Sequence, residues 1–181
     1  MDRYWLLTWT AYGTWLPGDA RGFVGRIREN NGPRVEHDSP GTPYDSAMKG
    51  LLVASRDRMR GKPIWLTEEQ AAVVGEDLQA TVAYRGWALV AAAVMANHVH
   101  VVVGVPGDPD PAKLLQLFKS YASRRLSERF GKPDSATWWT ESGSRRKLPD
   151  DSAVNGASEY VMRQERPLWT LDRRAGDESP P

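Results

Sequence analysis

Apolar and polar positions change period several times along the 181 residues, and each change marks an element. Residues 3–12 (Arg-Tyr-Trp-Leu-Leu-Thr-Trp-Thr-Ala-Tyr) are rich in aromatic and β-favouring types and predict a first strand. From Gly13 to about Pro63 glycine and proline recur, as in Leu16-Pro17-Gly18 and Ser39-Pro40-Gly41-Thr42-Pro43. That predicts a long irregular insertion with one short helix near Asp45–Arg60, and connections of this length are often functional. Thr67-Glu68-Glu69-Gln70 has the form of a capping box and predicts a helix to about Tyr84, stopped by Gly86. Residues 87–95 read as a buried strand, with helix as the competing reading because of their alanines. Asn97–Val105 reads as a third strand, closed by Pro106-Gly107. From Ala112 to Phe130 the apolar residues Leu115, Phe118, Ala122, Leu126 and Phe130 recur at spacings of three and four, which is a helix. Trp138-Trp139-Thr140 predicts a fourth strand and Ser152–Gln164 a last helix.

The succession strand, helix, strand, strand, helix, strand is that of a ferredoxin-like split βαβ sandwich. The expected fold is therefore α+β: an antiparallel sheet with helices on one face, carrying a long N-terminal insertion. One domain over residues 1–170 is expected, with 13–63 as the insertion and 171–181 as a disordered tail.

Composition narrows the chemistry. With no cysteine, disulfides, thiolate metal sites and cysteine nucleophiles are excluded. No apolar run reaches the length of a membrane span, and Met1-Asp2-Arg3-Tyr4-Trp5 lacks the regions of a signal peptide, so a cytoplasmic location without membrane contact is expected. A formal net charge of +1 argues against strong non-specific nucleic-acid binding by the chain as a whole. The distribution differs, however: Lys113–Lys147 holds nine basic residues against three acids. A local positive surface on a near-neutral protein follows.

Side chains two apart on a strand share a face, so His98 and His100 point one way and Val99, Val101 and Val103 the other. Paired imidazoles on a rigid strand can hold a divalent metal, or can be structural if each is hydrogen-bonded. His37, in the irregular segment, reads as a surface residue. Tyr121 lies at the border of its helix's apolar stripe, beside Leu114, Leu117, Arg125 and Glu128. Border tyrosines commonly just pack. Lys119, Arg124 and Arg125 around it would favour a phenolate and attract phosphate, which a tyrosine nucleophile requires. Trp138 and Trp139 suit either base stacking or the core, with one of the two expected to be buried. Arg145, Arg146 and Lys147 suit either phosphate contact or a solvated turn.

Taken in order, Asn97-His98-Val99-His100-Val101-Val102-Val103, Phe118-Lys119-Ser120-Tyr121-Ala122-Ser123-Arg124-Arg125-Leu126 and Trp138-Trp139 resemble the single-tyrosine HUH transposases of the insertion-sequence type. Among these the REP-associated tyrosine transposases are the most similar, and Tyr4-Trp5-Leu6-Leu7-Thr8-Trp9 fits their first strand. The resemblance covers about residues 3–165. It implies that His98 and His100 bind Mg²⁺ or Mn²⁺, and that Tyr121 is the catalytic nucleophile, leaving a 5′-phosphotyrosine and a free 3′-hydroxyl. The partner it implies is single-stranded DNA with a hairpin and a short single-stranded flank, met by Lys119, Arg124, Arg125, Arg145, Arg146, Lys147 and Trp138. Monomer and homodimer both remain open. Arg125 departs from the pattern, standing where a Gln or Asn ligand is usual one helical turn after the tyrosine. A guanidinium cannot ligate a cation. Either the third ligand comes from elsewhere or from water, or the enzyme is degraded. The alternative function is accordingly a non-catalytic single-stranded nucleic-acid-binding domain derived from such an enzyme. A His-x-His hydrolase of small molecules would need further ligands, for which only His37 is spare.

Overall fold

The computed structural model describes residues 1–21 and 47–174. In chain order the elements are β1 (Arg3–Thr10), α1 (Lys49–Asp57), α2 (Glu68–Arg85), β2 (Ala88–Val94), β3 (His98–Val105), α3 (Pro111–Phe130), β4 (Ser144–Leu148), α4 (Asp151–Met162) and β5 (Trp169–Asp172). The strands form one sheet in the order β4-β1-β3-β2-β5, and every pairing is antiparallel. The first four strands, with α2 and α3 as crossovers, make the α+β sandwich the sequence predicts.

Local signals set the helix ends. Thr67 Oγ1 accepts from the Gln70 backbone N–H and the Gln70 side chain accepts from Thr67 N–H, closing the capping box, while Gly86 stops α2 at φ 65°. Asp110 caps α3 at Ala112 N–H with Pro111 in its first turn, and Asp150 caps α4 at Ala153 N–H.

Strand alternation divides the interior into two layers. On one face Leu7, Trp9, Val99, Val101 and Val103 pack against Val74 and Leu78 of α2 and Leu114, Phe118 and Leu126 of α3. Each large side chain fully buried there contributes about 1.5–3 kcal/mol. On the other face Leu6, Ala91, Ala93 and Val102 meet Val154, Ala157 and Val161 of α4. The helices are therefore not confined to one face: α2 and α3 cover the first, and α4 is added on the second.

Two boundaries differ from expectation. Trp138–Thr140 is not the fourth strand; Trp139 makes a single bridge to Ala11, and the strand is Ser144–Leu148. Its sequence, Ser-Arg-Arg-Lys-Leu, resembles a solvated turn because an edge strand tolerates charge. The segment expected to be a tail begins with ordered structure, since Leu171 and Asp172 belong to β5 and pair with Ala92 and Ala91. A four-residue strand is too short to show a period. The short helix expected near Asp45–Arg60 is α1, whereas the middle of the insertion, with His37, lies outside the described residues.

Candidate functional site

The histidines project from β3 on the same face as Val102, the face that α4 covers. Their rings lie 4.7 Å apart between centroids at an interplanar angle of 83°. Each is oriented by a neighbour. His98 Nδ1 lies 2.7 Å from Asn97 Oδ1, an acceptor only, so Nδ1 carries the proton and Nε2 keeps its lone pair. His100 Nδ1 lies 2.7 Å from Thr8 Oγ1, directly across the β1–β3 pairing. His100 Nε2 is buried and has no hydrogen-bond partner among the described residues.

Two residues of the α4 end complete the site. The Tyr160 ring stands edge-on to His100 at 5.3 Å and is half exposed. Gln164, one turn further on, lies close enough to both imidazoles to favour their protonation, although it does not meet hydrogen-bond geometry with His100 Nε2. Its amide nitrogen donates to Tyr160 O at 3.0 Å, which leaves Oε1 as the available donor atom. Burial lowers the pKa of His98, against Gln164 and with help from the Arg21 charge. Burial, with the His98 charge beside it, pulls His100 down to about 3. Both rings are therefore neutral near pH 7, the state a metal ligand needs.

Among the described residues no group of three or more His, Cys, Asp or Glu side chains converges. The set here is two imidazoles and an amide oxygen. It fits a divalent cation, because His100 Nε2 is buried without a partner and, in the tautomer protonated at Nδ1, offers a lone pair that a cation would satisfy.

Tyr121 is not at this site. α3 packs on the Val99/Val101/Val103 face, so the sheet stands between Tyr121 and the imidazoles. Its hydroxyl accepts from Arg85 at 2.8 Å, and the Arg85 and Arg124 guanidinium carbons each lie 6.0 Å from the ring centre. Strand alternation groups the histidines but does not say which helix covers their face. The missed residues had a signal: the usual spacing of tyrosine and amide ligand is satisfied by Tyr160 and Gln164, not by Tyr121 and Arg125.

The other expected contacts divide. Trp138 is buried at 5% exposure and donates its Nε1–H to Ser127 Oγ, so it offers no ring face to a base; Trp139 is buried too. Both rings are core. Lys119 donates to Thr140 O at 2.5 Å and Ser142 O at 2.8 Å. Arg124 is exposed beside Tyr121, and Arg125 pairs with Glu128 at 3.7 Å across exposed surface. On β4 the residues alternate: Arg146 projects on the histidine face, opposite Leu6, while Arg145 and Lys147 project on the α3 face.

The model of the IS200-like transposase family matches residues 59–164, more than half of the chain and the span from before α2 to Gln164. The chain belongs to the IS200-like transposase family. Two solved structures are similar in fold. One is a REP-associated tyrosine transposase bound to a REP hairpin, 10% identical with a TM-score of 0.45, over 88% of this chain. The alignment spans 64% of that protein. The other is a candidate transposase from Deinococcus radiodurans, 15% identical with a TM-score of 0.48, over 91% of this chain and 92% of that one. No curated protein matches the sequence at a significant level. Among the described residues no helix is long and apolar enough to cross a membrane.

Proposed function

We propose that this transposase is a single-stranded DNA endonuclease and strand transferase whose nucleophile is Tyr160. His98, His100 and Gln164 would hold Mg²⁺ or Mn²⁺, which when bound polarises the scissile phosphate. Tyr160 Oη attacks phosphorus and loses its proton to solvent. The bond between phosphorus and the 3′-oxygen breaks, and that oxygen takes up a proton to leave as a 3′-hydroxyl. The 5′-phosphate stays on Tyr160. Attack by the 3′-hydroxyl of another strand reverses the step and returns the proton to the phenol. One phosphodiester replaces another, so joining needs no nucleoside triphosphate.

The observation that carries this reading is the convergence of Tyr160 and Gln164, four residues apart at the end of α4, on the imidazole pair. Gln164, in the turn after Tyr160, supports this reading over a non-catalytic DNA-binding domain, because it offers the amide that Arg125 does not. The hairpin substrate with its unpaired flank follows from the sequence resemblance. Exposed Arg146, on the same sheet face as the histidines, is suited to backbone phosphate.

The test is a single-stranded hairpin oligonucleotide incubated with the protein and Mn²⁺, scored for a protein–DNA adduct that survives denaturant. Wild type and Tyr121→Phe should both form it, and Tyr160→Phe should not. An adduct that persists in Tyr160→Phe and vanishes in Tyr121→Phe overturns the assignment of the nucleophile.

A further inference from the structure

On the α3 side of the sheet, away from the histidines, lies an open cleft of about 890 Å³. This is within the roughly 300–1,000 Å³ typical of sites for small organic ligands. Its lining includes Leu115, Met59 and buried Trp139, together with Arg58, Lys119 and Arg145 against a single carboxylate, Glu141. Lys119 is the unusual member. Its ammonium is drawn in far enough to donate to two backbone carbonyls, and no carboxylate lies within ion-pair distance among the described residues. Burial lowers its pKa to about 8, opposed only by the charge of Glu141, which lies beyond ion-pair distance. Beside it α3 presents Gln116 and Ser123, which can donate and accept, and Ser120, which donates to Leu117 O at 3.0 Å and offers an acceptor, at helical spacing on one face.

The cleft also adjoins the catalytic region. Thr14 Oγ1 donates to Ala11 O and to Asn97 O, next to His98, while Gly13, Leu16 and Pro17 of the same turn border the cleft. One short connection thus touches both places.

We infer that the cleft receives one unpaired nucleotide of the single-stranded DNA, with its phosphate among Arg58, Lys119 and Arg145 and the edge of its base on Gln116, Ser120 and Ser123. The inference rests on the DNA-transposase reading. It adds a place where sequence next to the cleaved bond is read, physically apart from the chemistry. An anion there supplies the close counter-charge that Glu141, beyond ion-pair distance, does not, and polar side chains at a base edge can discriminate bases.

The experiment measures fluorescence anisotropy of a labelled hairpin oligonucleotide with unpaired flanks, in EDTA so that no cleavage intervenes. Each flank base is replaced in turn by an abasic site. With wild type, one position should cost about tenfold in affinity. In Ser123→Trp, which fills the cleft, that penalty should disappear because the intact flank already binds about tenfold more weakly. Lys119→Met should weaken flank binding and reduce the salt slope by about 0.7, the value for one phosphate contact on a single strand. Thermal unfolding midpoints show that each variant is folded. If both folded variants keep wild-type affinity, salt slope and abasic penalty, the inference is wrong, whatever the adduct assay gives. A flank penalty abolished by Ser123→Trp, in a protein that forms no adduct, would uphold the cleft and sink the catalytic reading instead.

Discussion

Replacing Thr8 by valine tests the metal site through a residue that would touch neither cation nor DNA. A neutral imidazole has one N–H, and the partner of Nδ1 decides which nitrogen carries it. A cation held by the buried Nε2 of His100, which has no other partner, requires the proton on Nδ1, and Thr8 Oγ1 at 2.7 Å is placed to accept it. Valine keeps the shape and removes the acceptor. The ring is then free to take the other tautomer or to rotate, and either change withdraws the lone pair. Loss of such an orienting partner typically lowers metal affinity 10–100-fold, which at about 1.4 kcal/mol per decade is ~1.4–2.8 kcal/mol. The lost hydrogen bond should cost folding only about 1 kcal/mol, leaving the protein folded. The assay is calorimetric titration with Mn²⁺, paired with adduct formation across a Mn²⁺ series. We expect a weaker Mn²⁺ Kd and an adduct yield that recovers at high Mn²⁺. Wild-type Mn²⁺ affinity in a folded Thr8→Val protein would refute the reasoning.

Gln164→Ala should reduce Mn²⁺ affinity at least tenfold and slow adduct formation, whereas Arg125→Ala should leave Mn²⁺ affinity unchanged; equal effects would dissociate Gln164 from the metal. Asp77 is buried in α2, and burial raises its pKa from 3.8 to about 6 despite the Arg125 and Arg124 charges, with Glu128 adding to the rise. A raised folded-state pKa means that Asp77 costs nothing below about pH 4 and an increasing amount through pH 6, reaching at most ~3 kcal/mol above it. Asp77→Asn should therefore match wild type in urea unfolding near pH 4 and exceed it at pH 7; a pH-independent difference would contradict this. A Cβ added at Gly75 of α2 would run into the Trp169 ring of β5. Gly75→Ala should cost about 1–3 kcal/mol of stability and quench or shift tryptophan fluorescence, since the indole must move.

Much of the scaffold was legible because local signals agreed with the tertiary outcome. The Thr67/Gln70 box, the Gly86 stop and the three-four stripe of α3 each specify an element without reference to anything distant. The imidazole pair was equally legible, since alternation along a strand is a local property. Partner choice was not. Tyr121 and Tyr160 both sit on helices, and only the assembled sheet shows that α3 lies behind Val99 and α4 before His98. The basic residues near Tyr121 do not reveal this, because charge density marks a surface and not its distance from the imidazole pair. Trp138 and Trp139 misled in a related way: their aromatic character is spent on the core and on hydrogen bonds to Ser127 Oγ and Lys119 O.

The two layers of the sandwich are not equally cohesive. α2 and α3 are anchored by Leu78, Leu114, Phe118 and Leu126, but α4 rests on Ala91, Ala93 and Val102 through Val154, Ala157 and Val161. Small side chains offer less apolar area, so α4 costs less free energy to detach than α2 or α3. Its amides should exchange with deuterated solvent well before those of α3. On the proposed mechanism, the helix bearing Tyr160 would then lift to admit a strand or carry a tethered DNA end outward, while the imidazole platform stays fixed.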